Sequence, residues 1–324
     1  MDSGVGGRGS GVRTSTALVV DRTPDTQPLT PSSRVRPQTM AGLAWWRFTR
    51  HRMAVAGLLV VAVLGAASTL ASWVSPYDPD KPDLQLQLRA PSPVHLLGTD
   101  DLGRDLLTRI LYGGRISLSI GVLAMTLAVL MGTAVGAAAG YYGGAIDNLL
   151  MRFTDLMLSI PALFLLILLI LVLRSFPLPF LRGGVLAIVL AIALLSWMTV
   201  ARLVRAAFLS LKEQVFVEAA RALGVGNGRI IIRHILPNAA SPIIVAATLR
   251  VASSIITESG LSFLGFGVQP PTPTWGNMLK NAQDQMITAP WTAIFPGLFI
   301  FVTVIAINYV GDGLRDALDP RHLR

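Results

Sequence analysis

Long uncharged apolar runs, separated by short polar stretches, set the pattern of this chain. Residues 53–73 carry no charge and run into Ser75-Pro76-Tyr77-Asp78-Pro79, a helix-stopping stretch, so they predict a first span of the roughly 20 residues a bilayer needs. Charge is absent again between residues 116 and 146, where a second span is expected over about 116–144. Gly121, Gly132, Gly136 and Gly140 in that run include small-xxx-small spacings, which let neighbouring helices approach closely in lipid. A third span is expected over about 156–173, with Pro161 kinking it or ending a turn near its start. The fourth, over about 183–203, continues as a helix past Arg202 and Arg205 into water. A fifth over about 239–260 is diluted by Arg250, Glu258 and several serines, and a sixth over about 291–311 is clear.

Between the first two spans, residues 75–115 are polar, with six aspartates and five basic residues. Their end, from 105 to 112, spaces Leu106, Leu107, Ile110 and Leu111 as an amphipathic helix would. Residues 1–40 are rich in Gly, Ser, Thr, Pro and Arg without apolar periodicity, and are expected to form a disordered tail. The expectation is an all-α integral membrane protein of six transmembrane helices, with residues 41–324 as one membrane domain.

Composition agrees with that reading. The chain is 52% hydrophobic and 14% charged, against about 25% charged in soluble domains. The net charge of +9 is read as topology rather than as a nucleic-acid surface. With the N-terminus inside, eighteen Lys and Arg residues fall in cytoplasmic segments and eight on the other face, so both termini are expected in the cytoplasm. Trp45, Trp46, Trp73 and Trp291 flank spans and read as interface anchors.

The absence of cysteine excludes disulfides, thiolate metal sites and cysteine nucleophiles in this chain. His51, His95, His234 and His322 are scattered, which argues against a metal cluster. None of the three lysines follows a glycine, so the Gly-Lys-Ser/Thr core of a phosphate-cradling loop is missing and any ATP would be bound by another chain. Asp100, Asp101 and Asp105 gather near His95, but the expected role is structural, with Asp100, Arg104 and Asp105 capping or bridging the lead-in to span two. Arg250 and Glu258 are costly inside a span and are candidate pathway residues, although Glu258 also reads as a group at the outer interface. Eight residues apart, they lie about 80° apart around a helix.

The polar segment 202–238 is the most informative. Residues 212–223 read as a short helix with Val215, Ala219 and Leu223 on one face, Phe216 and Ala220 beside them, and Gly224 as a left-handed cap. After the break Val225-Gly226-Asn227-Gly228, a second short helix over 229–235 is expected to stop at Pro237. The residues alone leave open a hairpin lying on the lipid surface, a helix-turn-helix reading DNA, and a ridge seated in a groove of a cytoplasmic partner.

Glu218-Ala219-Ala220, then Gly224, then Ile235-Leu236-Pro237 resembles the EAA loop of bacterial ABC importer permeases. His95-Leu96-Leu97-Gly98-Thr99-Asp100, Gly103-Arg104-Asp105 and Leu111-Tyr112-Gly113-Gly114-Arg115 resemble the pre-span signature of the dipeptide/oligopeptide/nickel permeases. So do Leu261-Ser262-Phe263-Leu264-Gly265, Pro273-Thr274-Trp275-Gly276 and the ending Gly311-Asp312-Gly313-Leu314-Arg315-Asp316. The resemblance, to the C-type subunit, covers about residues 45–324. It implies the ABC importer permease fold and a multi-pass place in the bacterial cytoplasmic membrane. The implied partners are a second homologous permease, one or two P-loop ATPase subunits that bind ATP and Mg, and an extracytoplasmic solute-binding protein. It further implies peptide import, with residues 218–224 as a coupling helix in a cleft of the ATPase: Phe216, Glu218, Ala219, Ala220, Leu223 and Gly224 are the positions concerned. Arg250 departs from the family's pattern, which carries a small residue there. Two other classes remain beside this one: an ion- or proton-driven carrier, for which Glu258 is the one acid to consider, and a membrane-embedded enzyme, for which spacing assembles no catalytic set.

Overall fold

The computed structural model describes residues 40–178, 181 and 184–319, with side chains from Gly42 onward. The expected tail over 1–40 lies outside the described residues apart from Met40, which opens a helix. Among the described residues the regular structure is helical, with one isolated bridge between Thr99 and Asp105.

Helix α1 (Met40–Arg50) hands over to α2 (Arg52–Thr69) at His51, whose Nδ1 accepts the Ala54 N–H at 3.1 Å. A short α3 (Ala71–Val74) follows the break at Leu70, so the first span ends close to its expected limit. Trp45 and Trp73 are exposed beside α2, as anchors would be, whereas Trp291 is half-buried against the Leu106, Ile110 and Trp275 cluster and donates to the Thr99 carbonyl at 3.3 Å.

The second span is longer than expected. Helix α4 (Leu106–Tyr142) runs unbroken for 37 residues, about 55 Å, so the amphipathic end of the polar segment and the span are one helix. Its start is fixed by Asp105, whose carboxylate accepts the Thr108 N–H at 2.8 Å and the Thr108 hydroxyl at 2.7 Å.

The third expected span is not one helix. Helices α5 (Gly144–Ser159) and α6 (Ala162–Ser175) meet at 96°. Pro161 supplies no N–H, and the residue before a proline is pushed out of the helical region: Ile160 is extended at φ −85 and ψ 134. Helix α6 has 14 residues, about 21 Å, short of the roughly 30 Å of bilayer hydrocarbon.

Helix α7 (Val185–Leu211) passes Arg202 and Arg205 as expected, and α8 (Val215–Ala222) follows. The helix starting at Asn227 does not stop at Pro237. It continues as α9 (Asn227–Phe263), with a π-helical stretch from Ile230 to Ile235. Those wider turns end with the Leu236 N–H bonding to Ile231, so Pro237 sits at the start of the regular helix, where its missing N–H costs little. Helix α10 (Trp275–Asn281) and α11 (Trp291–Leu318) complete the chain. Five helices (α2, α4, α7, α9 and α11) are long and apolar enough to cross a membrane, and the bent pair α5/α6 makes up to six.

The glycines of α4 form a seam against α7. A Cβ on Gly132 would lie 2.6 Å from the Val200 Cβ, one on Gly136 2.4 Å from the Ala201 carbonyl oxygen, and one on Gly140 2.6 Å from the Phe208 Cβ. Only glycine permits this approach, in keeping with the spacing in the sequence.

Candidate partner-docking helix and span positions

Helix α8 is held by two residues. Val217 is 0% exposed and Ala220 is buried, both packed in a cluster with Ala137 and Tyr141 of α4, Val204 and Phe208 of α7, and Ile230 and Ile235 of α9. The remaining side chains face out: Val215 is 78% exposed, Leu223 83%, and Phe216, Glu218 and Ala219 are exposed as well. Of the six positions expected to meet a partner, Ala220 therefore turns inward, while Phe216, Glu218, Ala219, Leu223 and Gly224 form the outer surface. Glu218 has no ion-pair partner within 4 Å among the described residues.

The end of α8 is built by Gly224, at φ +75. Its N–H bonds to the Arg221 carbonyl at 2.9 Å and the Val225 N–H reaches back to Ala220 at 3.1 Å, the paired bonds of a Schellman turn. The turn is pinned to α4, where the Tyr141 hydroxyl donates to Asn227 Oδ1 at 2.8 Å and the Arg221 guanidinium lies 5.6 Å from the Tyr141 ring centroid. Asn227 and Tyr141 carry no sequence signal for this pairing, because they lie 86 positions apart.

At the far end of the bundle, the cluster around His95 is a folded strap. Asp105 takes His95 Nδ1 at 2.9 Å with its second oxygen, and Asp100 accepts from Arg104 Nε at 2.8 Å and from the Leu102 and Arg104 backbone N–H groups at 2.9 Å. Arg109, nearly fully buried, donates to the Pro79 carbonyl at 2.8 Å and lies 3.4 Å from Asp100. Asp101, beside them, has its carboxyl pushed up from the ordinary range by burial first and then by the Asp100 carboxylate. These bonds match the expected capping role, and among the described residues no group of three or more His, Asp or Glu is placed to hold a metal.

Helix α10 was not read from the sequence. Thr274 and Asn277 form a reciprocal capping box, Trp275 Nε1 donates to the Ile110 carbonyl at 2.9 Å, and Gly276 lies so close to α9 that a Cβ would meet Ser259 Cα at 2.6 Å. The Thr-x-x-Asn spacing was the available signal.

The two charged span positions part company. Glu258 is 0% exposed: it accepts from Ser262 at 2.7 Å and Ser117 at 3.3 Å, and Ser117 in turn accepts the Trp275 N–H at 3.3 Å. Arg250 is half-buried and its guanidinium has no hydrogen-bond or ion-pair partner among the described residues. The structure does not bring the two together.

Comparison with known proteins adds to this geometry. Residues 132–324 match the family described as binding-protein-dependent transport system inner membrane component, and residues 39–91 match the N-terminal TM domain of oligopeptide transport permease C. The glutathione transport system permease protein GsiD of Pectobacterium atrosepticum is 44% identical over 278 residues, covering 86% of this chain and 90% of that protein. Its counterpart in Escherichia coli O6:K15:H31 is 44% identical over the same length, covering 86% and 89%. A solved structure described as inward facing conformations of the MetNI methionine ABC transporter, in its native crystal form, matches with a TM-score of 0.54 at 20% identity, covering 66% of this chain and 98% of that one. That last likeness shows the fold alone.

Proposed function

This chain belongs to the binding-protein-dependent inner membrane components, within the peptide/nickel group of ABC importer permeases, and from that premise we propose that it carries small peptides inward by alternating access, driven through α8. The observation that carries the proposal is the two-sided character of α8: an outer ridge of Val215, Phe216, Ala219 and Leu223 with Glu218 among them, and an inner face of Val217 and Ala220 in a core shared by three long helices. Exposed apolar side chains on a short, firmly anchored helix are what a helix-in-groove contact uses.

ATP and Mg are bound by a separate P-loop ATPase, whose cleft receives α8, with Glu218 free to pair with a basic residue there. When the ATPase pair closes, α8 moves, and its buried face passes the displacement to α4, α7 and α9 because a packed core shifts as a block rather than deforming. A second, homologous permease completes the pathway and an extracytoplasmic binding protein delivers the solute. Both termini and α8 lie on the cytoplasmic side, in keeping with the distribution of Lys and Arg. Peptide cargo, in the dipeptide to oligopeptide range, is supported by the relatives named for glutathione, a tripeptide.

The test is reconstitution. The chain is co-expressed with a second permease, candidate P-loop ATPases and a binding protein, and ATP hydrolysis and peptide uptake are measured. Stimulated hydrolysis with uptake is expected, and Glu218→Arg leaves the chain inserted while uncoupling it. Uptake sustained by a proton gradient with no ATPase bound would return the protein to the carrier class.

A further inference from the structure

Arg250 lies 13 residues before the end of α9 at Phe263 and 14 after Leu236, about 20 Å along the helix from either point, which puts it near the middle of a membrane-crossing helix. A cation at that depth is costly and lies beyond the reach of lipid headgroups, so it is kept where an opposite charge or an aqueous path meets it. The described residues supply no such charge. The nearest acid on the same helix, Glu258, is eight positions on, turned about 80° away and enclosed by Ser117 and Ser262. Arg250 is also not alone on its face. Ser253 and Thr257 follow at three and seven positions, within about 60° of it around the helix, and all three are half-buried rather than sealed in the bundle. Both hydroxyls donate to α9's own backbone, Ser253 to the Leu249 carbonyl at 3.1 Å and Thr257 to the Ser253 carbonyl at 2.8 Å, which leaves their oxygens' acceptor sites and the Arg250 donors facing the open side.

We infer that Arg250 is an anion-binding position in the solute pathway, taking the carboxylate of the transported molecule, with Ser253 and Thr257 continuing the polar track along α9. This rests on the transport reading above and narrows it to solutes that bear a carboxylate. A planar guanidinium suits that partner because its parallel N–H groups match both carboxylate oxygens.

The absence of cysteine from the chain makes a direct test available. Ser253→Cys is introduced into the assembled, reconstituted transporter and labelled with two methanethiosulfonates of similar size, the anionic sulfonatoethyl and the cationic trimethylammonioethyl reagent. With Arg250 present the anionic reagent reacts faster; Arg250→Gln lowers the anionic-to-cationic rate ratio roughly tenfold, as expected for one charge removed at about 6 Å in a water-filled path, where the two reagents shift in opposite directions. Arg250→Lys keeps most of the bias. A ratio unchanged by Arg250→Gln overturns the inference and points to an acid from the second permease neutralising the arginine. Failure of both reagents to label in any nucleotide state also overturns it, because the face is then turned to lipid. If the unsubstituted complex recruits no ATPase and takes up no peptide, the transport reading fails on its own, while the labelling ratio still reports on Arg250.

Discussion

Replacing Gly224 by asparagine, alanine and valine separates backbone strain from space at the turn that closes α8. Gly224 holds φ +75, and a Cβ there would meet nothing within 4 Å, so the cost of a side chain is conformational. An L residue in the left-handed region costs about 1–2 kcal/mol, offset by about 0.4–1 kcal/mol because a relaxed, undocked turn also has less freedom to lose with a side chain than with glycine, which leaves roughly 0.5–1 kcal/mol on docking for alanine. Asparagine visits that region readily and costs less; valine, β-branched, costs more. Since about 1.4 kcal/mol is a factor of ten in an equilibrium constant, alanine weakens seating of the ATPase by roughly two- to fivefold and valine by more than tenfold. The assay is titration of the ATPase onto permease complexes in nanodiscs, alongside thermal unfolding of the same samples. Unfolding stays nearly unchanged, because the undocked permease escapes the strain by letting the turn after α8 relax while Val217 keeps the helix packed, so the cost falls on docking, which needs the left-handed turn. The order Gly, Asn, Ala, Val supports the strain account. Valine binding as well as glycine would refute it, and asparagine falling to the level of valine would mean that a partner presses on the Gly224 surface and that space is the limit.

Two further outcomes follow from the packing. Gly136→Ala places a Cβ 2.4 Å from the Ala201 carbonyl and destabilises by about 1–3 kcal/mol, whereas Gly65→Ala, with nothing within 4 Å, is neutral or stabilising by up to about 1 kcal/mol; equal melting temperatures in detergent would contradict the seam. Asp105→Ala removes the acceptor of the Thr108 N–H, the Thr108 hydroxyl and His95 together, and costs about 2–3 kcal/mol, seen as faster proteolysis of residues 75–105, while Asp105→Asn retains part of the cap and is milder.

What the sequence shows and what it hides divide along a physical line. Periodicity and composition report on local chain, and the features that depend on local chain are the ones read correctly: the apolar runs, the glycine ridge of α4, the left-handed cap at Gly224. Continuity and angle depend on how neighbours accommodate a local fault. Pro237 reads as a stop because a proline ring clashes with the preceding turn, yet the π-helical stretch from Ile230 to Ile235 widens that turn and α9 continues. Pro161 carries the same signal and gives the opposite result: no widened turn precedes it, Ile160 is extended, and the chain bends by 96°. Arg109 lies in the stretch expected to be polar, yet it is buried, satisfied by Pro79 and Asp100, and part of the same helix that continues into the span.

Arg250 and Glu258 show the same division at the level of function. Hydropathy scores each as one charge in an apolar run and treats them alike. The difference lies in what the adjoining elements bring. From α4, 141 positions away in sequence, Ser117 reaches Glu258 and ties it to the backbone of Trp275, so that this acid becomes a structural junction of three helices. No described residue does the same for Arg250, and an arginine near mid-membrane to which the described residues supply no counter-charge is better accounted for by something that arrives than by anything that holds the fold together.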